Sequence, residues 1–103
     1  MKLQNLQKPI MTFEGKIIPL SDADEAPFTI GKCVANVIAA NKDKKLDHFR
    51  AYELGLQFYN QEEIEVLEPD FNVIKEMLEK SQMYSSMFLG QAIKGLEDAK
   101  VGG

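Results

Sequence analysis

Gly31, Lys32 and Cys33 come closest of all residues in this chain to a reactive constellation. A glycine and a lysine at a helix start can bind phosphate, and a cysteine there can become a thiolate because the positive helix end lowers its pKa. A phosphate cradle, however, needs a glycine-rich loop with a Lys and a Ser or Thr, and this segment lacks one. Cys33 also shares the apolar helical spacing of Ile30 and Val34. We therefore predict that this segment is a packing centre with a buried thiol.

The other reactive side chains are isolated from one another. His48 is the single histidine, and it has no Ser or Cys neighbour that would act as its nucleophile, so we interpret it as a solvated first-turn residue. Asp22, Asp24 and Glu25 lack the glycine and the glutamate of an EF-hand loop, and one cysteine cannot form a cysteine zinc site. No Walker A loop, dinucleotide-binding glycine motif or nucleophile elbow is present. We predict a non-enzymatic protein with no catalytic residue, no cofactor and no metal.

Charge is spread unevenly along the chain. The net charge is -4, and residues 61–103 alone contain nine acidic and four basic residues. Because such a segment repels phosphate backbones, we do not expect nucleic acid as a partner. One alternative stays open: the helix pair predicted within 70–98 has the outline of a helix-turn-helix, with Lys94 and Lys100 as its cations. A DNA-binding regulator is therefore the second hypothesis.

The elements that position these residues follow from apolar spacing and turn residues. Residues 9–20 predict two strands around a tight turn at Glu14-Gly15, because glycine adopts the positive φ of such turns. Residues 21–27 predict a polar loop, and the β-branched run at 64–67 predicts a third strand. Four helices are predicted. The first has Thr29 as its N-cap and ends at Asn41 and the lysines after it, and the second has Asp47 as its N-cap and covers roughly 48–60. The third runs from Glu68 to about Ser81, and the fourth covers roughly 83–98.

The order β-β-α-α-β-α-α predicts an α+β domain. The simplest arrangement joins the N-terminal hairpin and the strand at 64–67 in one small antiparallel sheet packed with four helices. A chain of 103 residues predicts a single domain, 1–103, whose first few residues and residues 99–103 fray. With no apolar run of about 20 residues and no N-terminal signal pattern, we expect a cytoplasmic protein that does not cross a membrane.

The predicted helix at 48–60 is apolar on two nearly opposite sides. A helix of this kind is either sandwiched in the core or offers one of its faces to a partner. Apolar spacing alone leaves both interpretations open. One stripe consists of Phe49, Tyr52, Leu56 and Tyr59, and the other of Ala51, Leu54, Gly55 and Phe58.

The predicted helix at 83–98 shows the same property to a smaller extent. Two methionines fall toward its polar side, with a tyrosine at the margin. Methionines either fill gaps in a core or adapt to varied partner surfaces. Under the second interpretation the candidate interaction surface consists of Leu54, Phe58, Met83, Tyr84 and Met87.

Four segments carry a resemblance to a known type of protein. They are FTIGKCVANVIAANK (28–42), AYELGLQFYN (51–60), EVLEPDFNVIKEMLEK (65–80) and FLGQAIKGLE (88–97). Together, over residues 10–97, they resemble small proteins of tailed phages and prophages, a type that carries no assigned activity and no catalytic residue. The resemblance implies a phage or prophage origin, a location in the bacterial cytoplasm or on the virion, and a role met by protein contacts.

Two such roles are compatible with this resemblance: a head or tail assembly factor that binds a phage structural protein, and a modulator of a host protein. The spare apolar faces of the second and fourth helices also allow a homo-oligomer.

Overall fold

The computed structural model describes residues 1–40 and 46–101. Within them the chain has an α+β fold, as predicted. The predicted end of the first helix, at Asn41, lies outside the described residues, as do the lysines after it. The helices are α1 (Ile30–Ala40), α2 (His48–Asn60), α3 (Glu68–Lys80) and α4 (Ser86–Asp98), and the strands are β1 (Lys2–Leu3), β2 (Pro19–Ser21), β3 (Asp24–Pro27) and β4 (Ile64–Glu65).

Local sequence signals place the helix starts. The Thr29 hydroxyl accepts a hydrogen bond from the Lys32 amide at 3.2 Å, and the Asp47 carboxylate accepts one from the Arg50 amide at 2.8 Å. Both predicted N-caps are therefore confirmed, since each side chain satisfies an amide that has no partner within its helix. α4 begins at Ser86, three residues later than predicted. A polar turn, in which the Met83 amide donates to the hydroxyl of Ser81 at 3.1 Å, takes up the difference.

The predicted tight turn at Glu14-Gly15 is present, but it does not join the main strands. Gly15 has a φ of +84°, and its amide donates to the Thr12 carbonyl at 2.9 Å. Beyond it only one isolated bridge forms, between Met11 and Ile17. The hairpin of paired strands lies further along the chain.

β2 pairs antiparallel with β3, so the segment 21–27 supplies a strand where we predicted a polar loop. Two polar side chains support this reversal. The Ser21 hydroxyl accepts from the Asp24 amide at 3.1 Å, and the Asp24 carboxylate accepts from the Ala26 amide at 3.0 Å. Short polar side chains stabilise turns in this way. Both strands are largely exposed, which explains why their composition resembles a loop.

The predicted single sheet is wrong, because β4 pairs with β1 and not with the hairpin. The N-terminal residues that we expected to fray are thus paired, and the reason is apolar burial: Leu3 and Leu6 are fully buried. The chain end joins them, since the Gln4 amide donates to the Ala99 carbonyl at 2.9 Å and the Val101 amide to the Lys2 carbonyl at 3.1 Å. Residues 99–101, also expected to fray, are held by these bonds, and residues 102–103 lie outside the described residues.

The core is one cluster of apolar side chains around α1, which packs against α2, α3 and α4. Gly31 allows the closest approach: its amide donates to the Leu6 carbonyl at 2.7 Å. A Cβ at this position would overlap the Phe58 carbonyl oxygen and lie 2.6 Å from Nε2 of Gln7. The helix that approaches this glycine is therefore α2.

Cys33 lies in this core and is fully buried. Burial raises the pKa of its thiol from 9.0 to about 12, because the thiolate would be formed without water around it. Both observations agree with the predicted packing role and contradict a reactive thiol.

The raised pKa of Cys33 predicts a pH dependence of stability. The protonated thiol contributes fully to the stability of the fold at pH values below the thiol pKa of the unfolded state. This contribution is lost as the pH rises toward the thiol pKa of the folded state. We expect the free energy of unfolding to fall by about 1.4 kcal/mol between pH 8 and pH 10. Urea unfolding of the wild type and of Cys33→Ala, which lacks this titration, checks the prediction. Equal pH dependence in the two proteins would contradict it.

Candidate interaction surface

The carboxyl end of α2 is held by two side chains from other elements. Nε2 of Gln7 donates to the carbonyls of Phe58 at 2.8 Å and Gln61 at 3.0 Å. Nζ of Lys32 donates to Oε1 of Gln7 at 3.1 Å and to the Tyr59 carbonyl at 3.4 Å. The last carbonyls of a helix have no partner within it and carry partial negative charge. Lys32, a candidate phosphate ligand by sequence, is therefore engaged at the end of α2.

The amino end of α2 is tied down as well. Asp47 caps it, as described above, and the Arg50 guanidinium pairs with the Asp70 carboxylate at the start of α3. With both ends fixed, the rotation of α2 about its axis is set by its neighbours, and this rotation decides which apolar stripe is exposed.

Leu54 and Phe58 face the core, so their assignment to the interaction surface was wrong. Phe58 is 0% exposed and Leu54 is 6% exposed. The stripe that carries them also carries Gly55, whose Cβ position lies 4.0 Å from the Ala35 carbonyl of α1. Small residues on both helices let the backbones approach closely. The pairing of this stripe with the small residues of α1 is the sequence signal that would have identified the buried side.

The opposite stripe is the exposed one. Phe49 is 69% exposed, Tyr52 65% and Leu56 47%, and Tyr59 is half-buried. We call these four residues the α2 face. Large apolar side chains that adjoin one another at a surface are typical of binding sites, whereas isolated ones are ordinary.

A groove of about 380 Å³ runs between α1 and α2 beside this face, and we call it the α1–α2 groove. Apart from the His48 ring, every described side chain that lines it is uncharged. Its polar groups are the amides of Asn36 and Asn60, the His48 ring and two tyrosines. The apolar and small side chains that line it include Ala35, Ala39, Ala51, Gly55 and Leu56.

The three candidates near α4 differ in exposure. Met83 is 50% exposed, whereas Tyr84 and Met87 are half-buried. The Tyr84 ring packs against Phe28 and Phe88, with ring centroids 5.7 and 5.4 Å away. Of these candidates, therefore, Met83 is exposed, Met87 is half-buried, and Tyr84 packs against the core.

Tyr84 is also linked to the α1–α2 groove. Its hydroxyl accepts a hydrogen bond at 2.9 Å from Nδ2 of Asn36, a residue that lines the groove. Burial raises the pKa of the Tyr84 hydroxyl, while the Asn36 bond acts in the opposite direction. Tyr84 thus supports the groove from the side of α4.

Sequence reasoning missed a second apolar patch, at the turn after Met11. Phe13 is 91% exposed and Ile17 is 53% exposed. Gln91 of α4 holds the base of this turn, because its side chain accepts from the Met11 amide at 2.9 Å and donates to the Met11 carbonyl at 2.7 Å. The sequence signal for this patch was the position of Phe13 beside the predicted turn, because a side chain at a turn has no facing strand to cover it.

The lysines of the α3–α4 pair are engaged with carboxylates. Nζ of Lys94 lies 3.0 Å from the Asp98 carboxylate, and Glu97 lies 2.6 Å from Lys75 and 3.0 Å from Lys100. These hydrogen bonds, Lys75 first, lower the pKa of Glu97. The helix pair therefore presents little uncompensated positive charge for a phosphate backbone.

Neither a membrane span nor a metal cluster is found in the part of the chain that the structure describes. None of its helices is long and apolar enough to cross a bilayer, and no group of three His, Cys, Asp or Glu side chains is placed to hold a metal ion. Comparison of the chain with protein-family models, with curated proteins and with solved structures found no match.

Proposed function

We propose that this chain is a small, non-enzymatic accessory protein of the phage or prophage type, and that it binds another protein through the α2 face and the α1–α2 groove. Two roles fit the proposal, a head or tail assembly factor and a modulator of a host protein. Its place of action is the bacterial cytoplasm or the virion. The phage-type origin rests on the sequence resemblance.

The observation that carries the proposal is the combination of an exposed apolar stripe with an adjoining groove. Phe49, Tyr52 and Leu56 follow the i, i+3, i+7 spacing by which helices engage partner grooves and helices. Aromatic side chains with polar ends are enriched at protein interfaces, because they bury a large area with little loss of conformational freedom. The exposed members of this stripe, Phe49, Tyr52 and Leu56, are not needed for the packing of α2, which uses mainly the opposite stripe together with Tyr59.

The alternative, a DNA-binding regulator that uses the 70–98 helix pair, has less support. Its two cations, Lys94 and Lys100, pair with Asp98 and Glu97. A mobility-shift assay at low salt tests it directly: salt-sensitive binding that is lost when both lysines are changed to Glu would favour this alternative.

The interaction function is tested with paired baits. Wild-type protein, Leu56→Glu and Phe13→Ser are immobilised and exposed to the same bacterial lysate. Because Leu56 lies in the α2 face and Phe13 lies outside it, we expect a specific partner to be retained by the wild type and by Phe13→Ser and lost by Leu56→Glu. Capture that is identical for all three baits, or lost only with Phe13→Ser, would overturn the proposed surface.

The choice between the two roles is tested by the genes next to the one that encodes this chain. Neighbouring head or tail genes support an assembly factor. Neighbouring early or lysogeny genes support a modulator of a host protein.

A further inference from the structure

We propose that Glu97 is the centre of an acid-sensitive latch, which holds the segment 99–101 against β1 and α3 and releases it when the carboxylate is protonated. The latch consists of Glu97 on α4, Lys75 on α3 and Lys100 in the segment itself. None of these residues belongs to the α2 face or lines the α1–α2 groove. The inference is therefore independent of the proposed function.

The segment 99–101 covers one edge of β1. β1 pairs with β4 along its other edge. The Gln4 amide donates to the Ala99 carbonyl at 2.9 Å, and the Val101 amide donates to the Lys2 carbonyl at 3.1 Å. Release of the segment would break both hydrogen bonds and leave a strand edge with an unpaired amide and an unpaired carbonyl, which is the kind of edge that pairs with another extended chain.

Three charged groups fix this segment to the helices. One carboxylate oxygen of Glu97 lies 2.6 Å from Nζ of Lys75, and the other lies 3.0 Å from Nζ of Lys100. Nζ of Lys100 also lies 4.5 Å from the centre of the Phe71 ring on α3. A carboxylate shared by two ammonium groups forms a network, which holds more strongly than an isolated surface pair. A neutral carboxyl group at position 97 would lose this attraction to both lysines at once.

The surroundings of Glu97 set the pH at which the latch opens. Among the described residues, hydrogen bonds from Lys75 and then from Lys100 lower the pKa of Glu97. Because this pKa is lowered in the folded protein, the latch is complete above the ordinary value of 4.5 and is lost as the pH falls through the lower value of the fold. The remaining charged side chains of the neighbouring elements are Glu68, Asp70, Glu76, Glu79 and Lys80 on α3, Lys94 and Asp98 on α4, Lys2 on β1 and Lys32 on α1.

Hydrogen exchange of single amides, followed by NMR between about pH 6 and about pH 3 and corrected for the intrinsic exchange rate at each pH, tests the proposal. We expect the protection of the Gln4 and Val101 amides to be constant above pH 4.5 and to fall about three- to tenfold below it. Amides inside α1 should keep their protection over the same range, because the latch does not touch that helix. An equal loss in α1 would show that acid opens the whole domain, and would overturn the latch.

Two neighbouring carboxylates give matched variants for the same measurement. Glu97→Gln removes the charge of the latch, so the Gln4 and Val101 amides should show at neutral pH the low protection that the wild type shows in acid, with no further change as the pH falls. Asp98→Asn is the control, because Asp98 pairs with Lys94 on its own helix, and it should behave like the wild type. Circular dichroism melts establish that both variants are folded. Wild-type protection in Glu97→Gln, or the same loss in Asp98→Asn, would overturn the proposal.

Discussion

Replacement of Gly31 by alanine should lower the free energy of unfolding by about 3 kcal/mol or more. The new methyl group would overlap the Phe58 carbonyl oxygen and lie 3.0 Å from the Leu6 carbonyl oxygen. Both are backbone atoms, so neither can turn aside as a side-chain end would. Relief requires α1 to move away from α2 and from the N-terminal segment together, which breaks the contacts of the core. Urea unfolding monitored by circular dichroism measures the effect.

Gly90→Ala is the matched control for this prediction. Gly90 also lies inside a helix, α4, but apart from its chain neighbours and its own helix backbone, no heavy atom of the described residues would lie within 4 Å of its Cβ. Alanine there restricts the unfolded chain and favours the helix, so we expect stability to rise by about 0.5–1 kcal/mol. Similar small effects at positions 31 and 90 would show that α1 and α2 do not approach as closely as described.

The second large effect is expected for Phe58→Ala, which should lower the free energy of unfolding by about 3–5 kcal/mol. Phe58 is fully buried in the core cluster, and its removal leaves a cavity that the surrounding structure closes only in part. The same unfolding experiment measures the loss. The Gln7 side chain donates to the backbone carbonyl of residue 58, and the substitution leaves this carbonyl in place. The hydrogen bond is therefore retained in the variant, and the loss of stability reports on packing.

Phe49→Ala is the matched control on the same helix. Its side chain is 69% exposed, so we expect a change within about 0.5 kcal/mol. The contrast between two phenylalanines of α2 tests directly which stripe faces the core. A large loss for Phe49 and a small one for Phe58 would mean that α2 is rotated by half a turn from the orientation described here.

Local sequence signals were sufficient for the helices, because helix formation depends on near neighbours along the chain. The predicted helix at 48–60 coincides with α2, and the N-caps Thr29 and Asp47 are where the pattern placed them. Apolar spacing, caps and the turn glycine Gly15 act within a few residues. These features could therefore be identified without knowledge of the rest of the fold.

Strand pairing was predicted less well, because it depends on residues far apart. β1 is only two residues long and pairs with β4 about sixty residues later, so neither strand contains the evidence of its partner. The apolar residues Leu3 and Leu6 were visible in the sequence. Their burial requires the chain end near Ala99 to lie beside them, and no local pattern indicates that contact. The single predicted sheet failed for this reason.

The candidate interaction surface shows most clearly the difference between local sequence signals and contacts between distant residues. Sequence analysis identified two apolar stripes on the helix at 48–60 without deciding which is exposed, and the candidate surface it named contained Leu54 and Phe58, which are buried. Both stripes satisfy the same periodicity and have similar apolar content. The choice between them is made by the small residues of α1, by Gln7 and Lys32 at one end of α2, and by the ion pair of Arg50 at the other.

By itself, the sequence determined an α+β chain of four amphipathic helices, a buried Cys33 at a packing centre, and a helix with more apolar surface than one core contact uses. Those properties depend on composition and on spacing within one element. Only the tertiary structure decided that Phe49, Tyr52 and Leu56 face water, that a groove lies beside them, and that Lys32 binds the carbonyl of Tyr59 at the end of α2. These properties depend on how elements distant in the chain are rotated against one another, and periodicity within a helix carries no information about that rotation.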